Sequence, residues 1–148
     1  TNTMKNRNLT LTFAVAVFML IYIQGWSANY SNPTDTIKIF KSINVKRANK
    51  LNQENTGNSN FIVLDVRSNN DYKNDHLANA INIDFKSDDF IEKLKKLDRD
   101  KTYLVYCYGG VRSKKTMEQM EKLHFTKVYN VKGGMMKWKV KGLPVVKD

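Results

Sequence analysis

Cys107 is the only cysteine in the chain, and it is followed by Tyr108-Gly109-Gly110-Val111-Arg112-Ser113. Two adjacent glycines permit a tight turn with φ > 0, so successive backbone N–H groups can converge on one point. A helix expected to begin near Val111 adds its unpaired N-terminal N–H groups and the positive end of its dipole. A thiolate held in such a place is stabilised, and its pKa falls below the ~8.5 of free cysteine. Arg112 supplies a permanent charge with planar donors suited to an oxyanion. Cys107 is therefore the candidate nucleophile, and Tyr108, Gly109, Gly110, Val111 and Arg112 form the candidate anion cradle. Ser113 is expected to support the loop or, preferably, to cap the helix. The alternative is a buried bystander cysteine ahead of a glycine turn. The glycine pair, the arginine and the placement between strand and helix together favour chemistry.

The elements that must position this loop are readable from apolar patterning. Residues 61–66 (FIVLDV) are a nearly unbroken apolar run, as expected for a strand buried on both faces, and 102–106 (TYLVY) are a second. Shorter strands are expected at 43–45, 80–83 and 127–130. Helices are expected over 46–53, 111–123 and 135–140, with a helical turn at 70–74. Residues 88–97 place apolar side chains at 90, 91, 94 and 97 behind an acidic first turn, an amphipathic helix. Strands alternating with helices predict an α/β fold with a parallel central sheet covered by helices on both faces. Ligands of such sheets bind beyond the carboxyl ends of the strands, which is where Cys107 falls.

Length and composition bound the remaining possibilities. The 148 residues, 41% apolar and 26% charged, suit one globular domain with a real core. The net charge of +11 comes from lysines scattered along the whole chain, with no arginine-rich block or aromatic-interleaved stripe. No nucleic-acid partner is expected; the basic surface instead raises the local concentration of small anions. Two histidines and one cysteine without ligand-like spacing argue against a metal site, and no cofactor is implied. At the N-terminus, Lys5 and Arg7 precede a mostly apolar run over 9–23 and a small-residue stretch, Gly25-Trp26-Ser27-Ala28. That is the order of a secretory signal, with cleavage after Ser27 and a polar lead-in over 28–42 before a domain at 43–148. The alternative is an uncleaved membrane anchor, although the run is shorter than the ~20 residues a spanning helix needs. The domain is expected outside the cytoplasm, in the periplasm, touching a membrane only if the segment stays attached.

Over residues 43–146 the chain resembles the rhodanese family. Leu64-Asp65-Val66-Arg67, Asp71-Tyr72, His76-Leu77 and Ala80-Ile81-Asn82-Ile83 match its first motif; Cys107 to Arg112 match its loop. Gly133-Gly134, Trp138 and Gly142-Leu143-Pro144-Val145 match its closing motifs. Asp75, Asn79 and His124 stand where the family has glycine. Asp, Asn and His are the non-glycine residues that best tolerate φ > 0, so the same backbone is expected at all three.

The resemblance implies a sulfurtransferase: Cys107 takes a sulfane sulfur from a small anionic donor such as thiosulfate, carries it as a persulfide, and yields it to a thiol or cyanide. Cell-cycle phosphatases and arsenate reductases of related fold carry five residues between cysteine and arginine, where this chain has four. A non-enzymatic persulfide carrier or partner-docking module is the second hypothesis. Asp65 and Arg67 resemble family residues that brace the loop, with Arg67 expected to pair with Asp71. His76 is expected to be a hydrogen-bonded structural residue and His124 an exposed one, with Trp138, Met135 and Met136 serving as core and lid. Nothing in the residues specifies an oligomeric state.

Overall fold

The structure is a computed structural model and describes residues 37–147. The signal or anchor expected over the first 27 residues lies outside them. Among the described residues, five strands form one parallel sheet in the order β1-β5-β4-β2-β3. They are β1 (Ile39–Asn44), β2 (Phe61–Asp65), β3 (Ala80–Asn82), β4 (Thr102–Tyr106) and β5 (Lys127–Lys132). The helices are α1 (Val45–Glu54), α2 (Asn69–Asn74), α3 (Phe90–Lys95), α4 (Val111–Lys122) and α5 (Gly134–Val140). The parallel α/β architecture expected from the patterning is the one observed.

Two cores, one on each face of the sheet, explain the unbroken apolar runs of β2 and β4. Successive side chains of a strand point to opposite faces. Tyr103, Val105 and Cys107 therefore join one core with Phe90 and Leu94 of α3 and Met117 and Met120 of α4. Leu104 and Tyr106 enter the other, with Val45 and Ala48 of α1 and Met135 and Trp138 of α5. This alternation sends the cysteine side chain to the α3/α4 face. Because β4 is hydrogen-bonded to β2 and β5 on its two sides, its carboxyl end is held by both neighbours. Val66 N–H also donates to Tyr106 O (3.0 Å), fastening the residue just before Cys107.

Several local expectations are corrected. The first strand spans Ile39–Asn44 rather than 43–45, so Ile39 to Ser42 belong to the sheet instead of a polar lead-in; Val45 already opens α1. There the Asn44 side chain accepts from Arg47 N–H (2.9 Å), a helix start that outcompetes continuation of the strand. Asn79 (φ 61°) and His124 (φ 65°) do adopt the left-handed backbone, and His124 is exposed. Asp75 does not: its φ of −168° is ordinary extended backbone.

Candidate active site

The turn after β4 aims backbone donors at the sulfur. Gly110 N–H donates to Cys107 Sγ (3.2 Å), and the Ser113 hydroxyl lies 3.5 Å from it. Burial pushes the Cys107 thiol up, but the Ser113 hydroxyl and the N–H groups of Ser113, Gly110 and Gly109 outweigh it, leaving the pKa below its ordinary value. The thiol is 1% exposed, at the floor of its loop.

Only one of the two loop glycines needs the left-handed region. Gly110 has φ 93° as the residue preceding α4, and a Cβ there would meet Gly133 N at 2.7 Å and Val131 O at 3.1 Å. Gly109 lies outside that region and faces open space. Tyr108 and Val111 are exposed at the rim. Arg112, in the first turn of α4, is half-buried, and its guanidinium has no hydrogen bond or ion pair among the described residues. It is thus free to meet an anion.

Ser113 is not the helix cap; Gly110 holds that position without a side-chain bond. The serine is fully buried and donates to Asn130 Oδ1 (2.7 Å), and Asn130 Nδ2 in turn donates to Ser42 Oγ (2.9 Å). Asn130 and Ser42 escaped the sequence reading. The detectable signal was an asparagine inside a buried strand, where an amide requires partners.

A second clamp lies on the far side of the loop. Met135 N–H donates to Cys107 O (2.9 Å) and Met136 N–H to Tyr108 O (2.9 Å). Gly134 (φ 52°) makes this approach possible, since a Cβ there would sit 2.1 Å from Cys107 O and 2.6 Å from Tyr108 O. Trp138 and Met135 are core, whereas Met136 is 44% exposed.

Asp65 and Arg67 come together at the carboxyl end of β2, beside β4. Arg67 is 3% exposed; its Nε donates to both Asp65 oxygens (3.1 and 3.0 Å) and its Nη2 to Oδ2 (2.7 Å). Its second carboxylate is Asp75 (Nη1 to Oδ1, 3.1 Å), not Asp71, which instead bonds Ser68 at the start of α2. Lys139 also pairs with Asp75. Desolvation opposes the charge of Asp75, but Lys139 and Arg67 hold its pKa below the usual value. The guanidinium lies 5.6 Å from the centre of the Tyr106 ring, so the pair reaches the active loop through the residue preceding Cys107. His76 is buried, bonds Tyr72 O through Nδ1 (3.0 Å) and stacks on the Tyr72 ring, in keeping with a structural role.

The model of the rhodanese-like domain family matches residues 44–141. The chain belongs to the rhodanese-like family. Among relatives of the domain, it is 33% identical over 79 residues to thiosulfate sulfurtransferase GlpE of Coxiella burnetii, covering 53% of this chain and 72% of the relative. It is also 39% identical over 80 residues to the tRNA uridine(34) hydroxylase of Cytophaga hutchinsonii, covering 52% of this chain but only 26% of that protein. A solved rhodanese-related protein from Thermoplasma volcanium superposes with a TM-score of 0.61 at 36% identity, covering 74% of this chain and all of that one. Relatives of the rhodanese domain thus include an enzyme named for sulfur transfer and a larger one named for tRNA modification.

Proposed function

We propose that the domain is a sulfurtransferase that carries sulfane sulfur on Cys107. The observation that supports this most is the acidified thiol at the carboxyl end of β4, held by the Gly110 N–H and the Ser113 hydroxyl, with Arg112 in the same first turn of α4 unpaired among the described residues. In the first half-reaction the Cys107 thiolate attacks the outer sulfur of thiosulfate. A sulfur–sulfur bond forms to Cys107, the bond inside thiosulfate breaks, and sulfite leaves with its electron pair. In the second, a thiophile such as cyanide or a thiolate attacks the outer persulfide sulfur and regenerates the Cys107 thiolate. Arg112 orients the anionic donor, and the loop N–H groups stabilise charge on the terminal sulfur. A sulfur that is 1% exposed favours a slim terminal sulfur atom over a bulky ester. The four-residue spacing from Cys107 to Arg112 points the same way.

Intact mass spectrometry tests the assignment. Thiosulfate is expected to add one sulfur atom to the wild type and none to Cys107→Ser, and cyanide is expected to remove it as thiocyanate. Full turnover by Cys107→Ser would overturn the reading. We further propose, from the basic, apolar and small-residue order of residues 5–28, that the domain works outside the cytoplasm. N-terminal sequencing of protein from its native host is expected to begin near Ala28; recovery of Met4 in the membrane fraction would establish an anchor instead.

A further inference from the structure

A hydrogen-bonded chain connects the buried sulfur to solvent through three side chains on three elements. Cys107 Sγ lies 3.5 Å from Ser113 Oγ of α4; Ser113 donates to Asn130 Oδ1 of β5 at 2.7 Å; Asn130 Nδ2 donates to Ser42 Oγ of β1 at 2.9 Å. Ser113 and Asn130 are buried, while Ser42 is exposed at the edge strand.

The chain has a constraint that distances alone do not reveal. A serine hydroxyl carries one hydrogen, so Ser113 serves either the sulfur or Asn130 Oδ1, not both at full strength. With the amide oriented as it is, the 2.7 Å contact to Oδ1 takes that hydrogen in preference to the 3.5 Å contact to the sulfur. If it turned to an ionised sulfur, Ser113 Oγ and Asn130 Oδ1 would face each other at 2.7 Å with no hydrogen between them. Turning the amide over removes the conflict. Nδ2 then donates to Ser113 Oγ, and Oδ1 accepts from the Ser42 hydroxyl. The two ends of an amide have nearly the same shape, so the exchange needs no backbone movement. The exposed end at Ser42 can trade partners with water in either state.

We infer that Asn130 is a positioning residue for Cys107, its amide turning over to release the Ser113 hydroxyl to the sulfur when the thiolate forms and reclaiming it when the sulfur is neutral. The inference rests on the reading of Cys107 as the nucleophile and adds to it a two-state partner. In the sulfur-transfer cycle the thiolate ready to attack draws the hydroxyl. The inner sulfur of the persulfide, with less charge, lets it return to Asn130. Titratable groups on the elements around the loop include Tyr103 and Tyr106 of β4, Arg112, Lys114 and Lys115 of α4, Tyr129 and Lys132 of β5, Lys137 and Lys139 of α5, and the Asp65–Arg67 pair at the end of β2. None of them hydrogen-bonds the sulfur.

Two measurements test it. In the wild type, the Asn130 side-chain NH₂ resonances, assigned through bonds to their own backbone, are followed across pH by NMR. They are expected to shift with the midpoint at which Cys107 alkylation turns on, and to stay constant in Cys107→Ser. An amide indifferent to that midpoint overturns the inference, and this measurement requires no variant at Asn130. The second is a double-mutant cycle on the alkylation midpoint. Asn130→Asp offers Ser113 a permanent acceptor and also adds a charge, whereas in a Ser113→Ala background only the charge remains. Asn130→Asp is expected to raise the midpoint by about one unit more with Ser113 present than without it, the size of one hydrogen bond to a charged sulfur. Equal shifts in both backgrounds mean that Asn130 acts without Ser113 and overturn the inference. Thiosulfate loading of the wild type, read by mass, is scored separately. A protein that takes no sulfur while its amide follows Cys107 refutes sulfur transfer alone; one that loads sulfur with a silent amide refutes the relay alone.

Discussion

Replacing Gly134 by alanine tests whether the loop carbonyls are held from behind. At φ 52° an alanine occupies the left-handed region, which costs roughly 1 kcal/mol. Its methyl would sit 2.1 Å from Cys107 O and 2.6 Å from Tyr108 O, both backbone atoms that cannot rotate aside. Either the loop or α5 must retreat, which strains packing by about 1–3 kcal/mol. The retreat lengthens the bonds from Met135 N–H to Cys107 O and from Met136 N–H to Tyr108 O, at about 1 kcal/mol each. The expected loss is about 4–6 kcal/mol, a large part of the 5–15 kcal/mol typical of a whole domain. Urea unfolding measures it, provided the m-value is unchanged. The same displacement pulls the Gly110 N–H out of line with the sulfur, so the midpoint for Cys107 alkylation rises. Gly109→Ala is the control: no atom beyond its own residue and its two chain neighbours lies within 4 Å of its methyl, so its stability should change by less than about 1 kcal/mol. If Gly134→Ala were as stable as Gly109→Ala and kept the wild-type thiol midpoint, the reasoning from the close approach would be wrong.

Further outcomes follow from the same geometry. Arg67→Ala leaves the fully buried Asp65 carboxylate uncompensated and is expected to cost about 3–5 kcal/mol in urea unfolding; Arg67→Lys should rescue little, because an ammonium cannot reproduce the fork on Asp65 and Asp75. Arg112→Ala is expected to weaken thiosulfate binding about tenfold, read as a rise in KM, while shifting the alkylation midpoint of Cys107 less than Ser113→Ala does. Because the Cys107 pKa is lowered by folding, its thiolate contributes stability that is fully present above the unfolded thiol's ~8.5 and is lost as pH falls through the folded value. The stability difference between wild type and Cys107→Ser should therefore move in favour of the wild type from pH 6 to pH 9; no change would place the folded thiol at its ordinary pKa.

The legible part of the molecule was the part written in local pattern. Strand 102–106 matches β4 because a strand buried on both faces must be apolar throughout, and α4 begins at Val111 because Gly110 supplies the left-handed turn. The edge strand β1 was harder: Lys41 and Ser42 face solvent, so no apolar run marks its start at Ile39. Arg67 has carboxylates at both Asp71 and Asp75 within reach along the chain. The choice of Asp75 depends on the extended backbone there and on Lys139, a residue far away in sequence. Ser113 looked like a cap because serines near helix starts commonly are. Its actual partner, Asn130, is set by β5 lying beside β4, a neighbour relation that sheet order decides and spacing does not.

The clamp by α5 also sets an order of events in the life of the chain. Cys107 is synthesised before Gly134, Met135 and Met136, and the β1–β5 pairing that brings Ser42 to Asn130 joins strands far apart along the described residues. Contacts so distant in sequence close late in folding. While the polypeptide is being made, its cysteine is an ordinary thiol, mostly protonated at neutral pH and poorly nucleophilic. The donors that acidify the thiol, Gly109, Gly110 and Ser113, converge on it only once the loop has folded, with its carbonyls fastened by α5, so a chain still being made meets sulfur donors and oxidants before it has acquired the means to react with them readily.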